Sequence, residues 1–179
     1  MYSCFLISSK AFNERNALSE VYPIIVALSK GQKLNIFAQT LKVKGLGLIS
    51  IEEDTIDMPD NYPELINEYL PDIKYCEKII PLNGIIKERN ASSILSTKIK
   101  QYLSMIKNDS TWKIDIKKRH SPLKNKDIIN SIAPSVQIGS VDLTNPDWLI
   151  HINIIKNWIG YGIIKPKFII KLSKQEKKI

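Results

Sequence analysis

The sequence predicts a mixed α/β fold in two parts, and three observations carry that expectation. Apolar residues switch between a period of two and a period near 3.6 along the chain, so strands and helices follow one another. A chain of 179 residues has length for one medium domain or two small ones and needs neither disulfides nor metal to hold a core. The charge balance turns over near residue 88: residues 1–86 carry 8 basic and 11 acidic side chains, residues 87–179 carry 18 and 7. We therefore expect domains over 1–88 and 89–170, with a basic tail at 171–179.

In the first part, the short apolar run at residues 4–8 suits a buried strand. Asn13 can cap a helix with Ala17, Leu18, Val21 and Ile25 at helical spacing, and Pro23 predicts a kink or restart. Leu34, Ile36 and Ala38 alternate with polar and aromatic neighbours, and Leu46, Leu48, Ile49 and Ile51 follow Gly45, giving two strands joined near that glycine. Glu52, Glu53 and Asp54 end the second strand as a solvated loop. Asp60 or Asn61 can cap a helix through Pro63 to Leu70, stopped by Pro71, before a strand over Lys78 to Ile86. Strand, helix, strand, strand, helix, strand is the ferredoxin-like split βαβ order, a four-stranded sheet with two helices on one face.

The second part opens with an amphipathic helix from about Ala91 to Lys107, its stripe formed by Ile94, Leu95, Ile99, Tyr102, Leu103 and Ile106. After a loop at 108–110, Trp112, Ile114 and Ile116 alternate with Lys113, Asp115 and Lys117 as a half-buried strand. A helix follows from Asn125, with Ile128, Ile129 and Ile132 before Pro134. Ser140 to Leu143 reads as a strand and Thr144-Asn145-Pro146-Asp147 as a turn, so Trp148 to Ile154 is expected to return from it. Gly160 and Gly162 precede a last apolar run, and the lysine-rich tail beyond Lys171 is expected to fray.

Net charge is +8, which favours a polyanion as partner, with a solvated basic face or a membrane surface as the alternatives. Cys4 and Cys76 lack CxxC or Cys/His spacing, which argues against a disulfide scaffold or zinc ribbon and for a reducing compartment. No apolar run reaches a membrane span and the first ten residues lack a leader pattern, so a soluble cytoplasmic protein is expected. Phosphate loops, nucleophile elbows, zincin helices and calcium loops are absent from the sequence, so neither cofactor nor metal is expected.

Asp142 and Asp147 fit turn formation better than catalysis, and His151, between Ile150 and Ile152, fits a structural or surface role better than a ligand's. The one constellation with a positive mechanism is basic. Lys117, Lys118, Arg119 and His120 end a strand while Lys124 and Lys126 open the next helix, so cations and a helix N-terminus converge on phosphate. Lys87 and Arg89 flank this cluster, and Lys165, Lys167, Lys171 and Lys174 extend it if the fold brings them alongside. Trp112 and Trp148 fall with core residues, while Trp158 is a further candidate for base stacking.

The segment from Cys76 to Ile164 resembles a THUMP domain, the RNA-binding module of thiouridine synthases, RNA methylases and pseudouridine synthases. Trp112-Lys-Ile-Asp-Ile-Lys-Lys-Arg-His resembles its strand with a basic end, Asp127-Ile-Ile-Asn-Ser-Ile-Ala its next helix, Val141-Asp-Leu-Thr-Asn-Pro-Asp-Trp its turn, and Cys76-Glu-Lys-Ile-Ile-Pro-Leu the entry strand of stand-alone members. The resemblance is strongest to the tRNA-binding adaptors of tRNA cytidine acetyltransferase. It implies a non-catalytic protein that grips the tRNA acceptor stem and 3′ CCA end through Lys117, Lys118 and Arg119. A separate enzyme would then act in trans, forming N4-acetylcytidine, with no membrane partner and no DNA specificity. An RNA-modifying enzyme with an unrecognised site, or a protein-interaction scaffold, is the alternative.

Overall fold

The computed structural model describes residues 1–30, 32–87 and 91–172. In chain order the elements are β1 (Cys4–Ser9), α1 (Glu14–Leu28), β2 (Asn35–Thr40), β3 (Leu46–Glu52), α2 (Tyr62–Tyr69), β4 (Cys76–Leu82), β5 (Gly84–Ile86), α3 (Ala91–Lys100), β6 (Thr111–Arg119), α4 (Asn125–Ile132), β7 (Ser140–Val141), β8 (Trp148–Ile155), β9 (Trp158–Ile164) and β10 (Ile170–Lys171). The protein is mixed α/β with two sheets, and it divides into two compact units. One is Met1–Pro81 together with the residues from Lys167 onward; the other is Leu82–Pro166.

The first unit follows the expected β-α-β-β-α-β order, and its strands lie as β10-β4-β1-β3-β2. Antiparallel register pairs Phe5 with Ile49 and Ile7 with Gly47, and Ile36 with Ile51 on the other side of β3. Helix α1 buries Ala17, Leu18, Val21, Ile24, Ile25 and Leu28. It approaches the sheet closely because β3 has a glycine beneath it: a Cβ on Gly47 would stand 2.7 Å from Leu18 Cγ. The helix runs unbroken through Pro23 instead of kinking or restarting there. Pro23 lies on its exposed side, where the carbonyl left without a donor has access to water. The Glu20 carboxylate accepts from the backbone N–H groups of Lys74, Tyr75 and Cys76 at 2.7 to 3.1 Å and so fixes the start of β4.

Two expectations change at the chain's crossings. The single strand expected over Lys78 to Ile86 is two strands in different sheets, broken at Asn83. This side chain is buried and its Oδ1 accepts from Ile163 N–H at 2.6 Å, while the Asn83 backbone N–H donates to Tyr161 O. Gly84 follows because a Cβ there would lie 2.6 Å from the Tyr161 hydroxyl. At the other end, residues 170–171, which straddle the expected start of the tail, form β10 on β4. Leu172 is buried and Phe168 packs edge-on against Tyr2 and Tyr62.

The second unit holds a mixed sheet, ordered β5-β9-β8-β6-β7. Strands β8 and β7 both pair with β6 in parallel, one on each side of it. Residues 140–143 and 148–154 therefore do not form the hairpin that the turn between them suggested. Only Ser140 and Val141 are strand, because the Asp142 carboxylate turns the chain by accepting from Thr144 and Asn145 N–H. The helix expected to reach Lys107 ends at Lys100 and tightens into a 3-10 turn over Leu103–Met105. One face of the sheet presents Trp112, Ile150, Ile152, Ile154, Ile159, Tyr161 and Ile163 to Leu95 and Ile99 of α3 and Ile128 and Ile132 of α4. Burying an aliphatic side chain contributes about 1.5 to 3 kcal/mol, so this isoleucine-rich layer is the main support of the unit.

Candidate nucleic-acid interface

Strand direction determines which side chains meet at one end of the second unit's sheet. Because β6 and β8 are parallel and β9 and β5 alternate with them, four ends coincide: the C-terminal ends of β6, β8 and β5 and the start of β9. In register, Arg119 stands beside Ile155, Ile155 beside Trp158, and Ile86 beside Ile159. The residues at this end are therefore Lys117, Lys118, Arg119 and His120 from β6, Lys156 after β8, Trp158 opening β9, and Lys87 after β5. All the basic residues among them are exposed.

Lys117, Lys118 and Lys87 are each held by a different contact. Lys117 Nζ lies 3.1 Å from Asp115 Oδ1. Lys118 Nζ donates to Leu123 O at 2.8 Å, which ties the strand end to the loop before α4. That loop places Lys124 at the N-cap of α4 and Lys126 in its first turn. His120 takes φ +53, a left-handed turn that sends the chain off the strand. Lys156, at φ +54, donates its N–H to Arg119 O at 3.0 Å, so the β8–β9 turn sits against the basic strand end. Lys87 Nζ lies 4.8 Å from the centroid of the half-buried Trp158 ring.

The structure thus brings together Lys117, Lys118, Arg119, His120, Lys124, Lys126 and Lys87, whereas Arg89 lies outside the described residues. It adds Lys156, which the sequence reading missed. The available signal was Lys156-Asn157 between two apolar runs, a two-residue hairpin loop. Lys165, considered as an extension, is at the opposite end of the sheet with its Nζ 5.7 Å from the Trp148 ring centroid. Lys167 and Lys171 belong to the first unit, where Lys167 donates to Asp60 O at 2.8 Å, and Lys174 lies outside the described residues. Trp112 is a core residue whose Nε1 donates to Ile138 O.

Behind the cations runs a polar chain on the sheet face away from α3 and α4, buried at His151 and Asn153 and half-buried at Asp115. His151 Nδ1 lies 2.8 Å from Asp115 Oδ2 and Asn153 Nδ2 lies 2.7 Å from His151 Nε2. The carboxylate accepts and the amide donates, so the ring is satisfied with its proton on Nδ1. The hydrogen bond from His151, and then the Lys117 ammonium, hold Asp115 well below the usual carboxylate range. Both ring nitrogens are engaged and His151 is fully buried, so this pair orders the strands and aims Lys117 and offers no open acid–base site. At the far end of β6, Asp147 Oδ2 accepts from Thr111 N–H and Oγ1, and Asp147 N–H donates to Thr111 Oγ1. The Asn145-Pro146-Asp147 segment is a clasp between the starts of β6 and β8.

A mixed sheet covered by helices, with cations gathered at one end, defines an α/β domain suited to polyanions. Residues 91–163 match the family model of the THUMP domain, so the chain contains a THUMP domain. No curated protein matches the chain in sequence. Among solved structures it is similar to PH1313 from Pyrococcus horikoshii (15% identity, TM-score 0.51, 94% of this chain and 55% of that one). TrmN from Thermus thermophilus is similar at 9% identity and TM-score 0.52, over 92% of this chain and 47% of that one. A 4-thiouridine synthetase in complex with RNA and bound ATP is similar at 14% identity and TM-score 0.51, over 96% of this chain and 42% of that one. At these identities the likeness is one of fold, and the chain spans about half the length of these structures.

Proposed function

We propose that the protein binds tRNA through the basic end of its THUMP domain and presents it to a modification enzyme acting in trans. The observation that carries this reading is the convergence of Lys87, Lys117, Lys118, Arg119, Lys124, Lys126 and Lys156 on one end of a sheet. Exposed ammonium groups and a guanidinium on fixed strand ends meet a phosphate backbone with no base preference. The THUMP match and the fold shared with an RNA-bound 4-thiouridine synthetase favour tRNA over other polyanions. The acceptor stem and 3′ CCA end are the region gripped, the chain contributes no catalytic residue, and a tRNA cytidine acetyltransferase forming N4-acetylcytidine in the cytoplasm is the enzyme served.

The test is affinity for intact tRNA, tRNA lacking CCA and a duplex DNA of equal length across a salt series. It is run on the wild type and on a triple Lys117→Ala, Lys118→Ala, Arg119→Ala variant of checked fold. We expect tRNA to be preferred, CCA removal to weaken it, and the triple variant to lower the log–log salt slope by about 2 to 3. Equal binding of all three ligands, or an unchanged slope, would reduce the cluster to a solvated face. Turnover by the purified chain with acetyl-CoA or S-adenosylmethionine would make it an enzyme.

A further inference from the structure

The loop between β1 and α1 in the first unit contains a residue that the fold does not call for. Asn13 N–H donates to Lys10 O at 3.1 Å, closing a tight turn over residues 10–13. Its third residue, Phe12, has φ +70, while Ala11 before it is not left-handed. That is the pattern of a type II turn, whose third position favours glycine or asparagine. A phenylalanine there is strained, and its ring gains no burial in return, because Phe12 is 80% exposed. An apolar residue just before a helix cap ordinarily folds back on the first turn as a staple, and a ring this exposed makes no such contact.

The surrounding structure nevertheless fixes the turn that carries the ring. Glu14, the first residue of α1, accepts from both Phe12 N–H and Gly45 N–H, and Ser9 N–H donates to Gly45 O. These bonds stitch the 10–13 turn to the 41–45 loop. Lys44 Nζ then sits 5.1 Å from the Phe12 ring centroid. Lys10 and Arg15 are exposed beside it in sequence, neither loop carries an acidic residue, and the carboxylate of Glu14 at the start of α1 is occupied by backbone N–H groups. Strain retained at an exposed, over-determined position points to use by a ligand. An aromatic face among cations fits a nucleobase with its phosphates better than an apolar protein surface.

We propose that Phe12 and Lys44 form a stacking subsite for an unpaired nucleobase of single-stranded RNA, with Lys10 and Arg15 meeting the adjoining phosphates. This site belongs to the first unit, whereas the basic sheet end belongs to the second, and it rests on the reading of the chain as an RNA-binding protein. Stacking on one aromatic changes affinity by about 5- to 150-fold, whereas paired bases in a duplex have no free face to offer.

The experiment compares wild type, Phe12→Gly, Phe12→Trp and the Lys117/Lys118/Arg119 triple alanine variant. The probes are tRNA, a single-stranded RNA decamer and a blunt RNA duplex of similar phosphate count, with thermal melting measured alongside. Phe12→Gly is expected to melt higher than wild type, since glycine relaxes the turn. It is also expected to bind the single strand about 5- to 150-fold more weakly with duplex affinity unchanged, while Phe12→Trp retains binding. Wild-type affinity for the single strand in Phe12→Gly, or equal losses on single strand and duplex, overturns the subsite. If the subsite alone fails, tRNA binding and its loss in the triple variant persist; if the wild type binds no RNA, both readings fall together. Loss confined to a protein partner, with RNA affinity intact, also overturns it.

Discussion

His151 meets Asp115 across two parallel strands, Nδ1 to carboxylate at 2.8 Å, with the imidazole fully buried and 36 residues separating the two in sequence. Replacing the carboxylate by a methyl group leaves a buried N–H without an acceptor, a loss on the order of 2 kcal/mol. Asp115→Ala is therefore expected to lower the urea midpoint clearly, and Asp115→Asn, which keeps an acceptor, to lower it less. Equal midpoints for wild type and Asp115→Ala would mean that the pair contributes nothing to stability.

The same pair sets an acid dependence. Hydrogen bonding from His151, then Lys117, lowers the folded Asp115 pKa below its unfolded value. On acidification the unfolded chain therefore takes up its proton first, and stability falls as pH falls. The contribution is complete above about pH 5 and is lost progressively below about pH 4, toward the folded pKa. Glu14 and Asp142, each lowered by backbone N–H donors, act in the same direction. Urea midpoints between pH 6 and pH 3 should fall more steeply for wild type than for Asp115→Asn, and parallel curves would remove Asp115 as a source of the slope.

Asp147 clasps Thr111 through three hydrogen bonds at an exposed position. Asp147→Ala is expected to cost about 1 kcal/mol of stability and to leave tRNA affinity unchanged, since this end of β6 is opposite the basic one. A folded Asp147→Ala variant with weakened tRNA binding would place the turn in the interface.

Tyr62 is fully buried, and its hydroxyl has no hydrogen-bond partner among the described residues. Tyr62→Phe keeps the ring against Phe168 and removes the stranded hydroxyl, so the thermal midpoint should rise, by an amount equivalent to about 1 kcal/mol. A lowered midpoint would reveal a buried water bound to the hydroxyl.

What was legible in the sequence was local. Trp112, Ile114 and Ile116 declared a half-buried strand by alternation, Trp148, Ile150, Ile152 and Ile154 declared another, and Lys117-Lys118-Arg119 was visible because it is contiguous. What was not legible depends on pairing between distant segments. A turn such as 144–147 suggests a hairpin, yet Asp142 and Asp147 use it to pass the chain across to the far side of β6. Only that parallel crossing sets Asp115 beside His151 and Arg119 beside Lys156. Asn83 was equally hidden, since a polar residue in an apolar run gives no hint that its amide oxygen will cap Ile163. The strain at Phe12 is a backbone property with no counterpart in composition.

Strand β10 joins β4 although their paired residues, Ile170 and Ile79, are about ninety positions apart. The whole second unit is thus spliced into the chain of the first, between two strands of one sheet. During synthesis, the flank of β4 stays open until the ribosome has made everything up to Leu172, and the ring of Phe168 reaches Tyr2 and Tyr62 equally late. Closing so long a loop is slow compared with forming the β2–β3 hairpin. A fragment cut at residue 166 would leave β4 with a bare edge able to pair with other chains. Shortened versions that express poorly would owe this to the loss of the segment that carries Phe168 and β10, even with every residue of the THUMP domain retained.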